Sequence, residues 1–67
     1  MLRYSVFIQY DSKDNIYIAS IPELQGCMAH GATPEDAKRE IEIAAELWLE
    51  TAKENNVMIP EPMVFAS

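Results

Sequence analysis

The sequence predicts an α+β domain: a three-stranded antiparallel sheet, one long helix on one face of that sheet, and a short C-terminal strand. Three observations carry this prediction: alternating apolar residues near the N-terminus, a strong helix start at Thr33 and Pro34, and a second apolar run near the C-terminus. The expected element order is β-β-β-α-β. At 67 residues the chain is expected to form one domain, residues 1–67, with no separate DNA-binding domain.

The three strands are predicted from alternation and from turn residues. Apolar residues at the even positions of 2–10 alternate with more polar ones, which is typical of a strand with one buried face. The polar run 11–15 is a turn, so residues 16–21 are expected to return as the second strand of a hairpin. Pro22 ends that strand, because it has no N–H for the ladder, and residues 23–26 are predicted to turn. A short third strand is expected at about residues 27–30.

A long helix is predicted from Thr33 to about Glu54. Thr33 is a suitable N-cap, Pro34 suits the first helical position, and two acids follow at the positive end of the helix dipole. Such a helix would be about 33 Å long and would cross the sheet. The residues expected to face the sheet are Ala37, Ile41, Ala44, Ala45, Trp48 and Ala52, flanked by Ile43 and Leu47 on one side and Leu49 on the other. Asn55 and Asn56 are expected to stop the helix.

A homodimer or homotetramer is predicted, because a chain of this size buries only about 60% of its surface on folding. The single cysteine excludes an intramolecular disulfide, and the apolar arc of the helix is wider than one small sheet needs. The C-terminal segment is expected to be extended, since Pro60 and Pro62 cannot continue a helix, and to add a strand to its own sheet or to a neighbour's. The predicted oligomer contacts are Ile43, Leu47, Met63, Val64 and Phe65.

The charge balance argues against nucleic-acid binding by this chain. Five basic residues against eleven acidic ones give a net charge of −6, the wrong sign for neutralising phosphates. The helix carries an acidic row at successive i, i+4 positions, and this row is predicted to bind a basic partner: Glu42, Glu46, Glu50 and Glu54. The alternative is a solvated face, relieved by nearby lysine and arginine. No apolar run reaches the ~18 residues of a membrane span, so a cytoplasmic protein is expected.

No catalytic residue, cofactor or metal site is predicted. His30 is expected to be a partly exposed residue beside Gly31, and Cys27 a small buried hydrophobe without an activating base. Asp11 and Asp14 lie in the predicted turn, where such residues form hairpins. A metal site that used these two carboxylates is the weaker alternative.

Four local features occur in an order that resembles the HicB family. They are a proline-x-leucine-x-glycine-cysteine turn at residues 22–27, a glycine-x-threonine-x-glutamate helix start at 31–35, a helix rich in alanine and glutamate, and an isoleucine-proline-x-proline run at 59–62. Each feature alone is only turn and cap chemistry, but their combined order and spacing are fairly specific. Ala32 stands where the family often has aspartate.

The resemblance implies an antitoxin of a type II toxin–antitoxin pair. Its domain would fold like a truncated ribonuclease H and would mask a small, basic, RNA-cleaving toxin of the HicA type by occlusion. The likeness implies no nuclease activity, because that chemistry needs a cluster of carboxylates holding two metals. Two other hypotheses remain: a homo-oligomeric module with a regulatory or ligand-binding role and no toxin, and a vestigial nuclease, which would need Mg²⁺-dependent RNA cleavage through Asp11 or Asp14.

Overall fold

The computed structural model describes residues 4–61, and it contains the predicted sheet and helix. The strands are β1 (Phe7–Asp11), β2 (Ile16–Ser20) and β3 (Met28–Gly31), and the helix is α1 (Pro34–Glu54). The strands form one antiparallel sheet in the order β1-β2-β3. The predicted fourth strand falls outside the described residues, as do Met63, Val64 and Phe65. The ribonuclease H-like architecture, which includes that strand, therefore stays a prediction.

The hairpin between β1 and β2 is held by local contacts within its turn. Asn15 has a positive φ of 54°, a conformation that asparagine tolerates better than most residues. The Tyr10 hydroxyl donates to Asn15 Oδ1 at 2.7 Å, and the backbone N–H of Lys13 donates to Asp11 Oδ1 at 3.0 Å. The predicted role of Asp11 as a hairpin former is confirmed.

Both ends of α1 lie where the sequence predicts them. Thr33 is extended, and its hydroxyl accepts a hydrogen bond from the backbone N–H of Asp36 at 3.1 Å. Pro34 occupies the first helical position. At the other end Asn55 caps the helix, and Asn56 takes a left-handed φ of 54°.

The core lies between α1 and the sheet. Its buried members are Ala19, Ile21, Leu24, Cys27, Ala37, Ile41 and Ala45. The predicted apolar stripe of α1 is confirmed, because Ala44, Trp48 and Leu49 also pack against this cluster, and Ala52 is buried farther along the helix. The helix contacts β3 most, β2 less and β1 least.

The prediction for the first strand was wrong in its length and partly wrong in its burial. Among the described residues pairing begins at Phe7, so residues 4–6 lie outside the strand that the alternating pattern predicts over 2–10. Tyr4 and Val6 pack against the core, but Tyr10 is 55% exposed and contacts Tyr17 with a ring-centroid distance of 5.2 Å. The reason is the position of α1, which covers β3 and β2 and leaves the outer part of β1 open to solvent.

The segment between β2 and β3 folds back into the core. The backbone N–H of Leu24 donates to the Ile21 carbonyl at 3.1 Å, and that of Cys27 donates to the Leu24 carbonyl at 3.0 Å. These bonds hold the Leu24 side chain fully inside the protein. The sequence predicted only a turn here, because one leucine between polar neighbours shows no periodicity. The predicted burial of Cys27 is confirmed, since its side chain is nearly inaccessible.

Candidate protein-binding site

The predicted row of glutamates winds around the outer surface of α1. Each step of four residues turns about 40° past a full turn, so the row begins on the flank that carries Leu49 and ends on the flank that carries Leu47. Glu42 is half-buried, whereas Glu46, Glu50 and Glu54 are exposed. Arg39 pairs with Asp36 at 3.0 Å rather than with the row. The fold therefore does not bring the four glutamates together on one flat face.

The predicted oligomer contacts on the helix lie beside β3. Ile43 is 50% exposed and Leu47 59% exposed, and Met28 on β3 is 60% exposed. Two adjoining hollows run along this seam, with volumes of about 500 and 360 Å³. Both are lined by Met28, Ala44 and Leu47. We call this feature the β3–α1 groove and define it by Cys27, Met28, Ile43, Ala44, Leu47 and Trp48.

The floor of the groove is held by two hydrogen bonds to the segment between β2 and β3. Trp48 donates its indole N–H to the Gln25 carbonyl at 3.0 Å, which fixes the ring along one wall. Ile21 donates its backbone N–H to the Cys27 carbonyl at 3.2 Å and so aligns the start of β3. The groove is therefore built from β3, α1 and the segment between β2 and β3.

The outer edge of β3 has no strand beside it within residues 4–61. In an antiparallel ladder every second residue pair is hydrogen-bonded, and Ile21 bonds to Cys27. The next bonded positions on β3 are therefore Ala29 and Gly31, opposite Ala19 and Tyr17 on β2. Met28 and His30 therefore direct their backbone N–H and C=O groups away from β2. Within residues 4–61 no strand bonds to these groups, which run along the rim of the groove.

The sheet face opposite α1 is a second open surface, which the sequence analysis did not identify. Phe7, Ser20 and Met28 lie in one cross-strand row, and Gln9, Ile18 and His30 lie in the next. No helix or strand among residues 4–61 packs on this face, where Phe7 is 57% exposed. The alternation over residues 2–10 places Phe7 on the more polar face of the first strand, and that face is the open one.

The residues considered for chemistry lie apart from one another. His30 is exposed on β3, as predicted, and Asp14 is exposed in the hairpin turn. Within the described residues, no group of three histidine, cysteine, aspartate or glutamate side chains could hold a metal ion. In the same part of the chain, no helix is long and apolar enough to cross a membrane. The surfaces suited to function are therefore the groove, the edge of β3 and the acidic row.

Native Cys27 is expected to resist alkylation. Burial raises the pKa of its thiol, so less of the reactive thiolate is present at pH 8, and the side chain is only 5% exposed. Reaction with iodoacetamide should be at least about tenfold slower in the folded chain than in urea. Raising the pH should accelerate the reaction. Equal rates in buffer and in urea would contradict the buried position.

Comparison with known proteins identifies one family. The matching family model describes a HicB-like antitoxin of a bacterial toxin–antitoxin system and covers residues 4–67. A UPF0150 protein of Synechocystis is 39% identical over 59 residues, which span 88% of this chain and 80% of the relative. A UPF0150 protein of Thermoplasma acidophilum is 34% identical over 59 residues, spanning 88% of this chain and 84% of the relative.

A UPF0150 protein of Helicobacter pylori is 34% identical over 65 residues, spanning 84% of this chain and 90% of the relative. No solved structure gives a significant match. The range that the family model matches includes the residues that form the groove and the acidic row.

Proposed function

Because this chain belongs to the family of HicB-like antitoxins, we propose that it binds a small basic RNA-cleaving toxin of the HicA type and blocks the toxin's RNA-binding surface. The observation that carries the proposal is the family match over residues 4–67. The mechanism is occlusion. The chain supplies a surface that covers the toxin, and no bond is made or broken.

The charge of the chain supports a basic partner. A toxin that grips RNA must present cations, and a protein with a net charge of −6 attracts such a surface. Carboxylates at Glu46, Glu50 and Glu54 are exposed on the helix and can stand in for phosphates. The same charge opposes an approach to duplex DNA, so operator binding by this chain alone is not part of the proposal.

Growth rescue tests the proposed function. Each short basic reading frame beside the gene for this chain is expressed from an inducible promoter, alone and together with the chain. One of them is expected to stop growth alone and to be neutralised by the chain, and the purified pair should form a stable complex. If no neighbouring basic protein is toxic or binds the chain, the antitoxin function is wrong.

Changing Glu46 and Glu50 to Gln is expected to slow association with the toxin. Like charges at i, i+4 destabilise a helix by about 0.2–0.5 kcal/mol per pair, so the double variant should fold as well as the wild type or slightly better. Its association rate at low salt should fall by about two- to tenfold and should depend less on salt. Stopped-flow mixing measures both quantities.

The matched control removes the same charge elsewhere. Asp14→Asn with Glu61→Gln changes two exposed carboxylates away from α1 and should slow association less. Equal rates for the two double variants would show that net charge alone steers the toxin. A wild-type rate for the Glu46 and Glu50 variant would remove the acidic row from the binding surface.

A homo-oligomeric module with no toxin partner is the second candidate function. It is favoured by the exposed apolar side chains Ile43 and Leu47, which were predicted to contact another subunit. Growth rescue separates the two functions, and light scattering tests the oligomer, since a monomer has a mass of 7.6 kDa. We expect a dimer or tetramer, and a monodisperse monomer at micromolar concentration would contradict this expectation.

A cytoplasmic location also belongs to the proposal.

A further inference from the structure

We infer that the toxin docks in the β3–α1 groove by adding an extended segment to the outer edge of β3. This inference rests on the proposed function and names the surface through which it would act. In the complex, the backbone of the toxin segment pairs with β3, while alternate side chains enter the groove. This mode of recognition takes affinity from main-chain hydrogen bonds and specificity from side-chain pockets.

The edge of β3 offers the hydrogen bonds that such a segment needs. The free N–H and C=O groups of Met28 and His30 lie two residues apart, which is the repeat at which an antiparallel strand bonds to its neighbour. An added strand would convert the three-stranded sheet into a four-stranded one. Its side chains would alternate between the groove and the open sheet face.

The groove offers apolar contacts in register with that edge. Ala29 and Ala44 are small, so they leave room between β3 and the helix. Leu47 forms the outer wall on α1 and is 59% exposed. The Met28 side chain is 60% exposed and lies beside the same edge, on the opposite face of the sheet. Because the side chains of an added strand alternate between the two faces, one would cover Leu47 in the groove and the next would cover Met28 on the open sheet face. Removing these apolar surfaces from water would add to the affinity of the main-chain hydrogen bonds.

The charges around the groove favour a basic occupant over a second copy of this acidic chain. Glu40 lines the groove beside His30 and Ile43. Glu54 lies seven residues after Leu47, on the same side of the helix, and Glu50 lies between them in sequence. Two copies of this surface would bring their carboxylates together, whereas lysine or arginine beside the apolar residues of a toxin segment would pair with them.

The lysine and arginine side chains of α1 do not neutralise the carboxylates beside the groove. By helical spacing Lys38 and Lys53 lie on the opposite flank, toward Leu49. Arg39 is held by Asp36 at 3.0 Å. The expected docking segment is therefore a short strand in which apolar residues alternate with lysine or arginine.

Two variants of the full-length chain test the inference. Leu47→Gln removes an apolar wall at an exposed helix position without adding charge. His30→Pro removes one outward N–H from the edge strand but takes no bond from β2, a position where proline is tolerated. The control is Phe7→Gln, because Phe7 is 57% exposed, nearly as exposed as Leu47, but lies on β1, at the other edge of the sheet from β3. Circular dichroism and melting confirm that each variant folds.

The probe is the toxin identified by growth rescue, in a non-toxic active-site variant. Leu47→Gln and His30→Pro should each weaken binding by about tenfold or more, mainly through faster dissociation, while Phe7→Gln should stay within about twofold of wild type. If His30→Pro fails to fold, Leu47→Gln still decides the question. Wild-type affinity for Leu47→Gln would overturn the inference while leaving the antitoxin function intact.

Two other outcomes would also overturn the inference. If the wild-type chain binds no basic neighbour at all, both the antitoxin function and this docking site are wrong. If Leu47→Gln converts a dimer to a monomer without changing the affinity for the toxin, the groove holds a second copy of the chain. Light scattering on the same preparations distinguishes these results.

Discussion

Replacing Ile41 with Ala is expected to lower the free energy of unfolding by about 2–5 kcal/mol, a large part of the stability of so small a domain. Ile41 is fully buried in the middle of α1, within the cluster formed with Ala37, Ala45 and the sheet. Truncation removes three carbons from the core and leaves a cavity. The side chains of Ala37 and Ala45, which flank it on the helix, are too short to fill it. Urea denaturation followed by circular dichroism measures the loss.

Ile43→Ala is the matched control, because it makes the same chemical change two residues away on the same helix. Ile43 is 50% exposed, so its truncation should cost less than about 1 kcal/mol. Because both variants change helix propensity equally, the difference between their unfolding free energies reports the effect of burial. Equal losses at the two positions would mean that α1 does not face the sheet in the described orientation, or that Ile43 is buried in an oligomer.

Replacing Gly31 with Ala is expected to displace the start of α1 and to cost about 1–3 kcal/mol or more. A Cβ at this position would lie 2.5 Å from the backbone nitrogen of Ala37 and 2.8 Å from the carbonyl carbon of Asp36. Both contacts involve helix backbone, which cannot rotate away as a flexible side chain can. The first turn of α1 must therefore move from the end of β3. Thermal melting measures the loss of stability.

Gly26→Ala is the control for this prediction, because it makes the same substitution but would act through a different physical cause. A Cβ there would have no neighbour within 4 Å, but Gly26 has a φ of +80°. Gly26→Ala should therefore cost about 1–2 kcal/mol through backbone strain, and Gly26→Asn should cost less, because asparagine tolerates this conformation. At Gly31 the reverse order holds, and the larger asparagine should be worse than alanine. The same order at both positions would contradict the close approach of α1 to β3.

Gly31→Ala should also affect binding if the toxin docks beside β3. The groove depends on the spacing between β3 and α1, which this substitution increases at one end. A stable Gly31→Ala variant with wild-type toxin affinity would therefore favour a binding surface away from the groove. Isothermal titration with the non-toxic toxin variant measures that affinity.

The features that the sequence predicts correctly are those that depend on residues close together in the chain. The start of α1 follows from the Thr33 side chain and from Pro34, and its end follows from Asn55 and Asn56, because capping is a local interaction. The hairpin turn follows from Asp11 and its neighbours in the same way. The buried stripe of the helix was also predictable, since the spacing of its apolar residues matches the helical repeat.

Long-range packing sets which apolar residues remain exposed, and with them the surfaces that a partner can reach. The alternation in β1 predicts one apolar and one more polar face. Tyr10 on the apolar face is nevertheless exposed, because α1 packs mainly on β3 and β2. Leu24 is buried because its turn folds back through its own backbone hydrogen bonds, which no periodicity reveals. The β3–α1 groove arises where residues 28 and 47, far apart in sequence, meet at an unpaired edge. Such surfaces depend on long-range packing, and local sequence patterns do not encode it.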